Sequence, residues 1–220
     1  MTGLIASITP HAVAVALSPM PIAALVLLLL SNKARLNSIA FTFGWVLALI
    51  INIGLFAFLV SQPQAQSEKH TVRTLLDYAL GLFLLWFAFK EWKSRPKKGE
   101  EPKMPKWMAA VENFSPFKSF GIAVLLVTVN AKNTVLDVAT GVSIGQNTTS
   151  FSEALTVILI YTLIASITIF VPTVAFLLFG NKINPALNNL KVWLIANNAT
   201  ILFVLFLYIG ISLIARAMGN

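Results

Sequence analysis

The sequence predicts an all-α integral membrane protein of six transmembrane helices, paired as two inverted three-helix repeats with broken first and fourth helices. Three observations carry that expectation. Apolar stretches of about 20 residues recur along the chain, the length that crosses a bilayer as a helix. Basic residues gather in alternate connecting segments. Polar or proline-rich tetrapeptides, Ser18-Pro19-Met20-Pro21 and Asn130-Ala131-Lys132-Asn133, interrupt the first and fourth apolar runs.

Composition agrees. Of 220 residues, 57% are hydrophobic and 11% charged, against about 25% charged in soluble domains. Mean hydropathy is +0.82. The longest polar stretch, about fifteen residues, leaves no room for a separate soluble domain. Cysteine is absent, which removes disulfides, thiol redox chemistry and cysteine metal sites. The only histidines, His11 and His70, belong to no cluster with metal-ligand spacing, so no metal or cofactor is expected. No nucleophile–His pair, phosphate loop or paired catalytic carboxylates are present, so no enzymatic activity is expected. The net charge of +8 resides in loops, where it marks topology and headgroup contact rather than nucleic-acid binding.

The first span covers about 4–30 and lacks a positive n-region and a small-residue cleavage site, so it reads as a retained helix. Pro19 and Pro21 remove backbone donors inside it and free carbonyls a turn earlier. Two prolines spaced by one residue predict an unwound turn, with Ser18 adding a hydroxyl there; a simple kink is the alternative. His11 reads as an interfacial residue. The remaining spans fall at about 37–60, 74–92, 117–143, 153–179 and 191–216. Pro172 in the fifth reads as a kink or hinge.

Lys33 and Arg35 follow the first span. Arg95, Lys97, Lys98, Lys103 and Lys106 follow the third, and Lys182 follows the fifth. These loops should be cytoplasmic, with both termini outside. An odd number of spans per half requires inverted repeats, about 1–93 and 117–220, joined by a basic loop at about 94–116 in one transmembrane domain. Within that loop Met104, Trp107, Met108, Val111 and Phe114 recur at helical spacing. An amphipathic segment lying among headgroups, with Lys97, Lys98, Lys103, Lys106 and Trp107 at the surface, fits this pattern. A plain linker with a tryptophan anchor is the alternative.

The fourth span carries the sharpest signal. A lysine at the bilayer centre costs roughly 2.5–3.5 kcal/mol on insertion scales. Lys132 lies about fifteen residues into its span, roughly 22 Å along a helix rising 1.5 Å per residue, too deep to reach either interface easily. Asn130, Lys132 and Asn133 therefore read as the lining of a polar cavity. Asp137 is the natural partner of Lys132, although five residues is poor helical spacing unless the backbone unwinds. Asp77 is another candidate partner that could instead cap its helix or face headgroups, and Asn52 and Asn197 are pathway candidates whose alternative is helix–helix glue.

A resemblance adds to this. Ala16-Leu-Ser-Pro-Met-Pro-Ile-Ala23, Leu30-Ser-Asn-Lys-Ala-Arg-Leu-Asn37 and Phe43-Gly-Trp-Val46 resemble the opening of the GAP family. These are the peptidoglycolipid or sulfolipid-addressing proteins of the LysE exporter superfamily. Met104-Pro-Lys-Trp-Met108, Val129-Asn-Ala-Lys-Asn133 and Ala139-Thr-Gly141 resemble later elements of that family, in matching order over nearly the whole chain. Ala131 stands where the family usually has proline, so the break at 130–133 is less enforced, alanine being the best helix former.

The resemblance implies a bacterial plasma-membrane exporter that moves an envelope lipid or glycolipid toward the cell surface by alternating access. Its partners would be membrane lipids and a lipid or small-molecule substrate, with a homodimer or envelope-export partners compatible with it. Two other readings stay open: a small-solute exporter for amino acids or cations, and a non-transporting scaffold docking a lipid-export machine through its basic loop.

Overall fold

The computed structural model describes residues 2–61, 69–95, 111 and 114–218. Among these, nine α-helices follow one another: α1 (Thr2–Ala16), α2 (Pro19–Leu29), α3 (Ala34–Ser61), α4 (Lys69–Ser94), α5 (Pro116–Thr128), α6 (Ala131–Asn147), α7 (Phe151–Ala165), α8 (Ile167–Phe179) and α9 (Asn184–Met218). A 3-10 turn, Gly180–Ile183, links α8 to α9. Gly180 has φ 56°, where a Cβ would be strained, and it ends α8.

Local chemistry sets the ends. Pro116 opens α5 at the position where a missing N–H costs nothing, and Ser115 Oγ accepts from Lys118 N at 3.4 Å. Ser150 caps α7 by accepting from Glu153 N at 3.2 Å, and Glu153 Oε2 accepts from Thr149 N at 3.2 Å.

Ala34–Leu59 and Ile167–Asn197 are long and apolar enough to cross a membrane, the second running through the turn at Gly180. The bent pairs α1/α2 and α5/α6 raise the number to four if each is one span. The stretch 151–179 is divided at Ser166, leaving α7 as a shorter apolar helix; Ala199–Ala215 is another. Phe43, Phe58, Trp86, Phe117 and Leu178 are exposed, as side chains facing lipid are. The protein is thus a helical membrane protein.

The chain divides into two compact units. One comprises residues 1–61 with 103–195, the other 62–102 with 196–220. In the first, α3 is the central helix, packed along α5 and α6 and touching α2, α7 and α8. Small residues permit this. A Cβ on Gly141 would lie 2.8 Å from Ile53 O, and one on Gly145 would overlap the Ala57 carbonyl. Gly141-x-x-x-Gly145 is therefore the strip on which α6 meets α3. Trp45, Phe41 and Leu49 of α3 and Leu25–Leu29 of α2 fill the core. In the second unit, α4 and the C-terminal part of α9 approach at Gly81 and Gly210, with Trp92 against Phe203 and Phe87 against Phe206.

Candidate functional site

The site lies where the two bent helices of the first unit meet. The first bend, 50° between α1 and α2, falls at Leu17–Ser18. Ser18 is extended at φ −69°, ψ 115°, as a residue preceding proline must be. This corrects the expected unwound turn at 18–21. Pro19 and Pro21 instead occupy the first turn of α2, where the helix tolerates them, and the backbone opens just before them. Ser18 N bonds Val15 O at 3.0 Å instead of reaching back four residues, which releases the Ala14 carbonyl. Pro19 and Pro21 bring no donors, and the Ala16 carbonyl is released too.

The second bend, 67° between α5 and α6, falls at Val129–Asn130. Asn130 is extended at φ −70°, ψ 104°, and α6 starts at Ala131. The break is present although alanine imposes none. The helix breaks because α5 ends on its own: Val129 N closes on Leu125 O at 2.8 Å, and side chains take over the next carbonyls. Asn133 Nδ2 donates to Leu126 O at 3.3 Å, and Thr134 Oγ1 donates to Thr128 O at 2.9 Å.

The two breaks are bonded to each other. Ser18 Oγ donates to Asn133 Oδ1 at 2.8 Å. Lys132 Nζ donates to Ala14 O at 2.6 Å, the carbonyl that the first break set free. Thr168 Oγ1, two residues beyond the α7/α8 break, donates to Ala16 O at 2.5 Å. Thus the first break takes its missing donors from α6 and α8. Lys132 is 2% exposed and Asn133 and Asp137 are 0% exposed, so the group is enclosed in the observed conformation.

Asp137 lies further along α6. Tyr161 Oη of α7 donates to its Oδ1 at 3.2 Å, and Asn52 of α3 faces the same carboxylate. Its Oδ2 has no hydrogen-bond partner among the described residues. Lys132 and Asp137 act on each other through space without closing to an ion pair, because α6 is regular between them and no unwinding brings them together. Thr140 sits beside Tyr161, and His11 Nδ1 lies 3.2 Å from Thr140 Oγ1. A line of polar groups therefore runs from His11 through Thr140 and Tyr161 to Asp137.

The structure thus gathers Ser18, Asn133, Lys132, Asp137 and Asn52 around one polar centre, with half-buried Asn130 at the bend. Pro19 and Pro21 are buried at the start of α2 and shape the break. Asp77 lies on α4 and half-buried Asn197 on α9, both in the second unit; the Asp77 side chain is outside the described residues. Lys97, Lys98, Lys103, Lys106 and Trp107 are also outside them, as is most of the expected amphipathic segment. Val111 is buried, and Phe114 O accepts from Asn37 Nδ2 at 2.9 Å. Among the described residues no three His, Asp or Glu side chains group as metal ligands.

Sequence reasoning missed Tyr161, Thr140 and Thr168. A phenol deep in an apolar run was the available signal for Tyr161, since buried tyrosines seek a partner for their hydroxyl. Thr140 stood out only through its place in Ala139-Thr-Gly141, and Thr168 carried no signal, because threonine in a membrane helix usually bonds its own backbone. The fifth span also breaks at Ser166 rather than at Pro172, which lies inside α8.

Comparison with family models matches residues 8–219 to the family described as Sap, sulfolipid-1-addressing protein. The chain belongs to the sulfolipid-1-addressing protein family. The match spans both breaks and both compact units, so the Ser18–Asn133 junction lies within the part that makes the chain a family member. Among curated proteins nothing matches the chain, and among solved structures nothing matches it either.

Proposed function

We propose that this protein is a plasma-membrane exporter that moves an envelope lipid or glycolipid toward the cell surface by alternating access. Membership of a sulfolipid-addressing family supports a lipid role. The observation that carries the reading is the junction of two broken helices, with Ser18 bonded to Asn133 and the Lys132 ammonium held on Ala14 O. Broken helices at a shared midplane site are how many transporters present backbone and charge to a substrate.

The chemistry follows from the donors. An ammonium has three, and among the described residues Lys132 makes one hydrogen bond in the observed, enclosed conformation. Separating the breaks would free Lys132 for an anionic headgroup, with Asn133 and Ser18 free to bond its hydroxyls. The Ala14 carbonyl would hold the lysine when substrate is absent. Six spans, inverted halves as in the LysE superfamily, outward termini and a cytoplasmic 94–116 loop complete the proposal. No covalent chemistry is required.

The test compares surface and inner-membrane lipids in cells carrying wild-type protein, Lys132→Met or Asp137→Asn. Membrane insertion and monodispersity are checked for each. Inserted variants that fail to export are expected; normal export by an inserted, folded Lys132→Met protein overturns the proposal. The enclosure of Lys132 and Asp137 favours a second reading, a small-solute exporter with a closed polar site. Unchanged envelope lipids together with a changed efflux of amino acids or cations would support that reading.

A further inference from the structure

A second polar feature lies at another end of the first unit, away from the two breaks in sequence. The α2–α3 turn, the start of α5 and the α8–α9 turn border an open cavity of about 850 Å³, within the usual size for a ligand site. Lys33 and Arg35 line it, together with Ser31, Asn32, Asn181 and Asn184. Among the described residues no acidic side chain does. In this unit the described acids are Asp137, buried in the core, and Glu153, which opens α7 and caps it.

Two further features suit an anion, and two suit the rest of a lipid. Ala34 and Pro116 begin α3 and α5, and both line the cavity, so two helix starts bring their positive ends to it. Arg35 supplies a planar fork matched to phosphate or sulfate oxygens. Asn184 Oδ1 is a buried acceptor with no partner among the described residues, which calls for a hydroxyl donor. Leu36 lines the same cavity yet is 61% exposed, giving it an apolar lip.

We propose that this cavity binds the anionic, hydroxyl-bearing headgroup of a lipid, with Lys33 and Arg35 as charge partners and Leu36 beside the acyl chains. The site rests on the chain's being a membrane protein and does not depend on the export reading. If export also holds, the cavity lies at the cytoplasmic surface and is where a lipid from the inner leaflet is first held.

Binding of dioctanoyl-phosphatidylglycerol to purified protein in neutral detergent tests it. Lys33→Gln with Arg35→Gln should weaken binding about 30-fold, equivalent to about 2 kcal/mol, from roughly 1 kcal/mol per basic residue at a membrane surface. Lys93→Gln with Arg95→Gln in the second unit removes the same charge and should change binding less than threefold. Wild-type binding by the first pair, or equal losses from both pairs, overturns the proposal. Asn184→Leu should weaken phosphatidylglycerol but not dioctanoyl-phosphatidic acid, which lacks the hydroxyls; equal affinities for both lipids remove the hydroxyl from the assignment. Competition by glycerol 3-phosphate assigns the same site to a free phosphoryl anion, and failure to compete assigns it to the lipid.

Discussion

Ser18 and Asn130 hold nearly the same backbone conformation, φ −69°, ψ 115° and φ −70°, ψ 104°, yet reach it by different means. At Ser18 the cause is covalent: proline follows, and proline forces its neighbour out of the helical region. At Asn130 the following residue is alanine, which imposes nothing. That break is held by side chains a few residues away, Asn133 on Leu126 O and Thr134 on Thr128 O. The satisfaction of freed carbonyls is reversed. The proline break depends on distant donors, Lys132 and Thr168, whereas the alanine break supplies its own. A break enforced by covalent geometry can leave its carbonyls open to others; a break enforced by hydrogen bonds must use them itself.

This difference can be attacked from several sides. The largest effect is expected from Lys132→Met, which bares Ala14 O and leaves Asp137 buried without its balancing charge. A loss of about 3 kcal/mol in unfolding free energy in detergent is expected. Adding Asp137→Asn should return at least about 1 kcal/mol of it, since charges that act on each other are not additive. Additive losses would show that Lys132 serves Ala14 alone. Asn133→Ala comes next, at about 2 kcal/mol, because it removes bonds to both breaks. Ser18→Ala and Thr168→Val should each cost about 1 kcal/mol, measured in the same unfolding series; a larger loss from Thr168→Val than from Asn133→Ala would reverse the roles assigned to the two breaks. The smallest effect, and the most telling, is Ala131→Pro. Asn130 is already extended and Ala131 is the first residue of α6, so proline should be accepted with a gain of about 0.4–1 kcal/mol. Destabilisation by this variant would mean that Asn130 departs from the conformation described.

Much of this was legible in the sequence, and the reasons are specific. Pro19 and Pro21 announce a break in any context, and Asn130, Lys132 and Asn133 are costly enough in lipid to announce a polar site. That the two meet, Ser18 on Asn133, is a contact between residues 115 apart that neither tetrapeptide shows by itself. Where within each tetrapeptide the backbone opens was not legible, because prolines at the start of a helix and prolines in an unwound turn look alike in sequence. The break at Asn130 was underestimated, since residue propensity records nothing of Asn133 and Thr134 reaching back to α5. The Gly141-x-x-x-Gly145 strip could have been read as a packing face. The cavity at Lys33 and Arg35 could not, because those residues explain themselves as topology signals until α5 and the α8–α9 turn come beside them.

The distant donors of the first break also impose an order in time. Ala14 O waits for a partner 118 residues later, and Ala16 O for one 152 residues later. At about 5–20 residues per second, Ala14 and Ala16 are synthesised roughly 6–30 s before Lys132 and Thr168. Through that interval their open carbonyls need water, lipid headgroups or an insertion factor. A nascent chain arrested before Lys132 should therefore cross-link to such a helper through α1, and release it once Thr168 has entered the membrane.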